Sequence, residues 1–170
     1  MSDSTRRAAT ALIGLLLVVG VWWWVTAEAG SKTQSGSEAA PGSNAAPTER
    51  TVVSVIDGDT FDAERDGVRE RVRIIGIDTP EREQCGYSEA SAALSDAIGG
   101  RRVTLVSGAE TDRDTYGRLL RYVEIGGADV GLGLIEQGLA VARYDSRTDQ
   151  PHDREVAYWA ADDASANLCG

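Results

Sequence analysis

The sequence predicts an α+β domain in which short strands close into a small barrel and helices pack against one side. Apolar runs of strand length alternate with Asp-Gly and Gly-Gly turns, and helical periods enter only after the first hairpins. Thr51 to Ile56 reads as the first strand, Asp57-Gly58 as its turn, and Thr60 to Ala63 as the start of the return strand. Asp66-Gly67 turns the chain again into Val68 to Ile77, where Val72 and Ile74 alternate with Arg71 and Arg73. Pro80 ends that strand, because it removes a ladder donor and keeps Thr79 extended. Ser88 is placed to cap a helix with apolar positions Ala90, Ala93, Leu94, Ala97 and Ile98, closed by Gly99-Gly100. Val103 to Val106 and Leu119 to Ile125 read as strands. Val130 to Gln137 reads as a short helix stopped by Gly138, and Leu139 to Tyr144 as a brief strand. Pro151 fits the first turn of a last helix, with His152 in that turn and Val156, Trp159 and Ala160 on its buried face.

Ahead of this domain, residues 1–29 read as a membrane anchor or a signal peptide. Arg6-Arg7 precedes an apolar run over residues 8–27 that contains Trp22-Trp23-Trp24. At ~1.5 Å per residue that run just spans a bilayer, with its N-terminus inside and its indoles at the far interface. Ala27-Glu28-Ala29 carries the small-x-small spacing of a cleavage site, so a removed signal peptide stays open, and Arg6-Arg7 also fits a twin-arginine signal. Each reading places the remaining chain outside the cytoplasm, either anchored through residues 8–27 or secreted. Residues 30–50 are rich in Gly, Ser, Ala, Thr and Pro without apolar period and read as a flexible tether. Residues 51–170 are enough for one core, and no internal repeat occurs.

The chain carries 17 basic and 27 acidic side chains, a net charge of −10. Residue 51 onward holds 13 arginines, no lysine and 23 acids, so the domain accounts for all of it. Such a surface repels polyanions and argues against tight non-specific nucleic-acid binding. It serves solubility, or suits a salty medium in which screening shortens to roughly 3 Å at 1 M. Cys85 and Cys169 are the two cysteines, and an even count outside the cytoplasm favours a disulfide over two free thiols. With a lone His152 they lack the spacing of a zinc site.

The most informative stretch is Asp57-Gly58-Asp59-Thr60, followed by Arg73 and then Asp78-Thr79-Pro80-Glu81; Asp114-Thr115-Tyr116-Gly117-Arg118 adds a second arginine. A hairpin brings the first two groups together, supplying oxygens for a hard cation and a spare carboxylate to act on water. Taken singly, each feature has a plainer reading: turn acids accepting backbone hydrogen bonds, an exposed strand arginine, tyrosines packed at a barrel rim.

Together with Gln137-Gly138-Leu139-Ala140 ahead of Tyr144, these groups resemble the staphylococcal nuclease (thermonuclease) family over nearly all of residues 51–168. The resemblance implies a five-stranded OB-fold barrel with about three helices. It also implies a Ca²⁺-dependent endonuclease that cuts DNA and RNA to leave 3′-phosphates. Carried over by position, Asp59 and Asp78 bind Ca²⁺ directly, the Thr79 carbonyl adds an oxygen, and Asp57 acts through water; manganese suits the same donors. Glu81 matches the general base, Arg73 and Arg118 the phosphate clamp, and Tyr116 and Tyr144 the substrate contacts. A monomeric domain with no protein partner is expected.

This chain departs from the family pattern at two places. Thr115 stands where the prototype has a lysine, and Asp145-Ser146 follows Tyr144 where a second tyrosine is expected. Both departures imply weak substrate binding with the catalytic set intact. The alternatives are a non-catalytic OB-fold module that binds nucleic acid at the cell surface, or an envelope scaffold indifferent to cations. The complete set of Asp59, Asp78, Glu81, Arg73 and Arg118 and the acidity of the domain disfavour a pure binder, and the scaffold predicts no cation dependence.

Overall fold

β1 (Thr48–Val55), β2 (Thr60–Arg65) and β3 (Val68–Ile74) form an antiparallel meander in the computed structural model, which describes residues 46–169. There follow β4 (Ile77–Asp78), α1 (Tyr87–Ile98), β5 (Arg102–Val106), β6 (Leu119–Ile125) and β7 (Ala128–Asp129). The chain ends with α2 (Val130–Glu136), β8 (Val141–Ala142), a single 3-10 turn at Ser146–Thr148 and α3 (Glu155–Ala164). β5 pairs with β1 and with β6, all antiparallel, and β6 then runs parallel to β3. That last pairing, Val72 to Leu119 and Arg73 to Leu120, closes five strands into the expected barrel with three α-helices. The strand order, β3-β2-β1-β5-β6 with β3 and β6 joined, is that of an OB-fold.

Phe61, Val72, Ile74 and Leu105 fill the barrel, and Leu94 and Ile98 of α1 and Leu134 and Ile135 of α2 cover it. The hairpin turns and the α1 spacing fall where the sequence puts them. The first strand starts earlier, so Thr48 to Arg50 of the expected tether belong to β1. The run Val68 to Ile77 is broken at Ile75-Gly76, which separates β3 from the two-residue β4. The expected span over residues 8–27, the Ala27-Glu28-Ala29 site and residues 30–45 of the tether lie outside the described residues. Among those described, no helix is long and apolar enough to cross a membrane.

Other expectations need correction. Ser88 does not cap α1: the helix begins at Tyr87 on a left-handed Gly86, with no side-chain cap. The strand drawn over Leu139 to Tyr144 shrinks to Val141–Ala142, because Tyr144 turns the chain with φ 59°. Val156 and Ala160 of α3 face solvent, and Tyr158 is the residue turned inward. Tyr158 is fully buried because its hydroxyl donates to Asp129 Oδ2 at 2.9 Å, which satisfies the polar end. Trp159 is half-buried and donates its indole N–H to Asp145 Oδ2 at 2.7 Å.

His152 lies before α3, buried, with Nδ1 2.8 Å from the Tyr122 hydroxyl. That oxygen already accepts the Arg154 amide at 3.0 Å, so its own proton is free for Nδ1. Burial pushes His152 below its ordinary value of 6.5, against the pull of Glu155 and nearby aspartates. The folded state therefore resists the proton that the unfolded state accepts. The stability of neutral His152 is whole above pH ~6.5 and is lost as pH falls through the depressed folded value. Asp59, raised to about 6 by burial, acts with the opposite sign, favouring the fold as pH falls below about 6. Urea midpoints at pH 7.5 and 5.5 are expected to fall more in the wild type than in His152→Gln. Equal falls would remove His152 from the acid response.

Candidate active site

Barrel closure builds the site. Along β3, Val72 and Ile74 point into the core, so Arg73 points the other way, yet it is only 8 % exposed. The Ile74-Ile75-Gly76 bend and β4 fold back over it, placing Asp78 beside its guanidinium. Arg73 Nη1 donates to the Ile74 carbonyl at 3.0 Å, while Nη2 lies 3.1 Å from Asp59 Oδ2 and 3.4 Å from Asp78 Oδ1. The plainer reading of Arg73 as an exposed strand arginine therefore does not apply. Its charge is held between two carboxylates.

Asp59 arrives from the β1–β2 turn. Its Oδ2 accepts the Thr79 amide at 3.1 Å and the Thr79 hydroxyl at 2.9 Å, and its Oδ1 accepts the Thr60 hydroxyl at 3.0 Å. Asp57 Oδ1 accepts the Asp59 amide at 3.1 Å, which makes it the residue that shapes the turn. Burial pushes the Asp59 carboxyl up to about 6; Arg73 opposes the rise and Asp57 adds to it. A carboxylate in that state gains from any further cation. Among the described residues no three acidic, histidine or cysteine side chains form a ready cage. Asp59 and Asp78 nevertheless converge on one cationic nitrogen, and the Thr79 backbone lies against Asp59. Two carboxylates are oxygen donors that suit a hard divalent cation in an open site, whose other ligands would be water or substrate oxygens.

Arg118 reaches the same cleft from the residue before β6. Because Leu119 pairs with Val72, the parallel closure sets Arg118 beside β3 although the two arginines are far apart in sequence. The loop before it wraps on one carboxylate. Asp114 Oδ1 accepts the Tyr116 and Arg118 amides, each at 2.9 Å, and Asp114 Oδ2 lies 2.5 Å from Arg118 Nε. Burial would raise Asp114, but the Arg118 guanidinium and these two amides hold it below its ordinary range. Arg73, Arg118, Tyr116 and Tyr144 line a cleft of about 390 Å³, with Gly76 and Pro151 among its walls.

Tyr116 is 84 % exposed, and the Arg118 guanidinium lies 5.4 Å from its ring. Tyr144 is carried to Asp78 by the β4–β8 pairing, and its hydroxyl donates to Asp78 Oδ1 at 3.4 Å. A left-handed backbone at such a bulky residue costs about 1–2 kcal/mol, a strain of the kind that gathers at functional sites. Glu81 follows Asp78 by three positions and is exposed. Its carboxylate makes no hydrogen bond or ion pair among the described residues, and it does not line the cleft. The structure thus gathers Arg73, Asp59, Asp78, Thr79 and Tyr144 in one contact network and sets Arg118 with Tyr116 in the cleft that Arg73 and Tyr144 also line, and leaves Glu81 outside both.

Sequence reasoning missed Arg143, whose Nη1 lies 3.4 Å from Asp78 Oδ2 and whose guanidinium is 5.7 Å from the Tyr144 ring. Tyr144 therefore sits between Arg143 and Arg73, the latter at 5.6 Å. Only its place directly before Tyr144 hinted at this. Cys85 and Cys169 are joined in a disulfide, with Cα atoms 5.9 Å apart. A closed loop of 84 residues corresponds to roughly 4 kcal/mol in the entropy model.

Residues 71–168 match the family model described as staphylococcal nuclease homologue. The chain is similar to a thermonuclease of Staphylococcus intermedius, 38% identical over 99 residues, which is 55% of this chain and 58% of the relative. A thermonuclease of Staphylococcus hyicus is 34% identical over 99 residues, with the same coverage. Endonuclease YncB of Bacillus subtilis is 30% identical over 122 residues, 68% of this chain and 56% of that relative. The chain thus spans a little over half the length of these relatives.

Proposed function

Because the chain belongs to the staphylococcal nuclease family, we propose that it hydrolyses phosphodiester bonds of DNA and RNA endonucleolytically, with Ca²⁺, to leave 3′-phosphates. One observation carries this reading: Arg73 of β3 and Arg118, just before β6, line one cleft, and Arg73 is ion-paired in turn with the carboxylates of Asp59 and Asp78. A phosphate entering the cleft meets both guanidiniums, which donate to its non-bridging oxygens and offset the charge gained as phosphorus becomes five-coordinate. To do so Arg73 exchanges its carboxylate partners, and Arg118 its Asp114 partner, for phosphate oxygens. Bound at Asp59, Asp78 and the Thr79 carbonyl, Ca²⁺ would supply positive charge for the phosphate and the attacking water.

Glu81 takes a proton from that water as its oxygen bonds to phosphorus, and the bond to the 5′-oxygen breaks. Tyr116 and Tyr144 offer aromatic faces to the flanking nucleosides. The acidic cleft rim, with Glu110 and Asp149, opposes a polyanion and supports weak substrate affinity. The apolar run over residues 8–27 and the cysteine pairing support an extracytoplasmic location, membrane-anchored or secreted.

The purified chain is expected to fragment single-stranded DNA and RNA with Ca²⁺ present and to stop on addition of EGTA. Fragments should carry 3′-phosphates. Cleavage indifferent to EGTA would remove the cation from the scheme, and retention of DNA without fragments would leave a binding module.

A further inference from the structure

Among the described residues the Glu81 side chain has no partner of its own, so its position must be set through the backbone. Two devices hold that backbone. The Glu81 amide donates to Gln84 Oε1 at 2.7 Å, and the Gln84 amide donates back to the Glu81 carbonyl at 2.9 Å. The next residue, Cys85, is bonded to Cys169. The C-terminal strip is itself fixed, since the Leu168 amide donates to the Gly138 carbonyl at 3.0 Å. Where a Cβ on Gly86 would stand, Cys169 Sγ and Pro80 Cγ are each 3.2 Å away, so the strip also crowds the base of the loop.

Packing elsewhere does little for this segment. Residues 81–85 are all exposed, and a cavity of about 260 Å³ lies beside the loop, lined by Asp78, Thr79, Pro80, Gln84, Leu139 and Cys169 among others. Glu83 adopts φ 73°, a strained conformation for a residue with a side chain, which a slack loop would relax.

We infer that Gln84 and the Cys85–Cys169 bridge are positioning residues for Glu81, setting the proposed general base by a side-chain latch and a covalent clasp to the chain end. The inference rests on the reading of Glu81 given above. General-base catalysis depends on a carboxylate held within hydrogen-bond reach of its water, and a displacement of about 1 Å can cost around 10²-fold.

The test compares the full chain with Gln84→Ala, Cys85→Ser/Cys169→Ser, Glu81→Gln and the Glu81→Gln/Gln84→Ala pair, assayed well below every melting temperature. The latch and clasp variants are expected to lose about 10- to 100-fold in kcat, with KM and the Ca²⁺ midpoint changed less than about twofold. With Glu81 already replaced, Gln84→Ala should cost nothing more, because a latch has no further effect once the base is gone. Wild-type kcat in Gln84→Ala overturns the inference, and so does the same loss in the Glu81→Gln background. If the serine pair fails to fold, Gln84→Ala decides alone. A wild-type chain without Ca²⁺-dependent cleavage sinks the functional reading instead, while a large Glu81→Gln effect beside silent latch and clasp variants sinks this inference only.

Discussion

Glu81→Gln is expected to lower kcat by about 10²- to 10⁴-fold and to leave the thermal unfolding midpoint unchanged. The substitution keeps the size of the side chain and removes its ability to take a proton. Glu81 is exposed and makes no side-chain hydrogen bond or ion pair among the described residues, so the fold loses nothing measurable. KM should hold, since Arg73, Arg118 and the two tyrosines proposed to meet the substrate are untouched. Arg73 offers no such clean separation. It is buried between Asp59 and Asp78, and removing one partner of a buried ion pair costs stability as well as catalysis. Circular dichroism melts beside steady-state kinetics of Glu81→Gln decide the matter. A kcat near that of the wild type would strip Glu81 of its role while leaving the arginine clamp standing.

The parts of the fold legible in the sequence are those written in local chemistry. Asp57-Gly58 and Asp66-Gly67 announce their hairpins, and the Ala90, Leu94 and Ile98 spacing marks the face by which α1 covers the barrel. Closure of β3 on β6 is different in kind. It pairs Arg73 with Leu120 across a long separation, and no local pattern states that Arg118 will stand beside Arg73. The resemblance to known nucleases supplied that partnership; periodicity did not. The reading of α3 failed for a related reason. Val156 is apolar and reads as inward-facing, but the helix is oriented by Tyr158, whose hydroxyl answers Asp129 at the start of α2. A tyrosine that finds a buried acceptor outranks a valine that finds none, and the acceptor is 29 residues away. Arg143 escapes the sequence reading likewise, since it takes its meaning from Asp78 on another element.

Gly76→Ala is expected to destabilise the fold by roughly 3 kcal/mol, from two costs with separate origins. The first is conformational. Gly76 has φ 76°, a left-handed backbone that costs an L-residue about 1–2 kcal/mol. The second is steric. An added Cβ would stand 2.4 Å from His152 Nε2, 2.5 Å from Cε1 and 3.1 Å from Tyr158 Cδ2, distances at which something must move. The imidazole is buried and tied through Nδ1 to Tyr122, and Tyr158 is fully buried, so neither ring yields freely; overpacking of this kind costs about 1–3 kcal/mol. Alanine also stiffens the unfolded chain, a gain of only about 0.4–1 kcal/mol on the other side. The Gly76 carbonyl accepts the Arg143 amide at 3.0 Å and Gly76 borders the cleft, so the same change should disturb Arg143, Asp78 and hence activity. A drop in urea midpoint at constant m-value reads the total, and a loss below about 1 kcal/mol would mean that His152 does not lie against this backbone. The clash is separable from the strain. In the His152→Ala background the two shortest contacts are gone, so adding Gly76→Ala should cost the conformational part and the milder contact with Tyr158, clearly less than it costs with the imidazole in place.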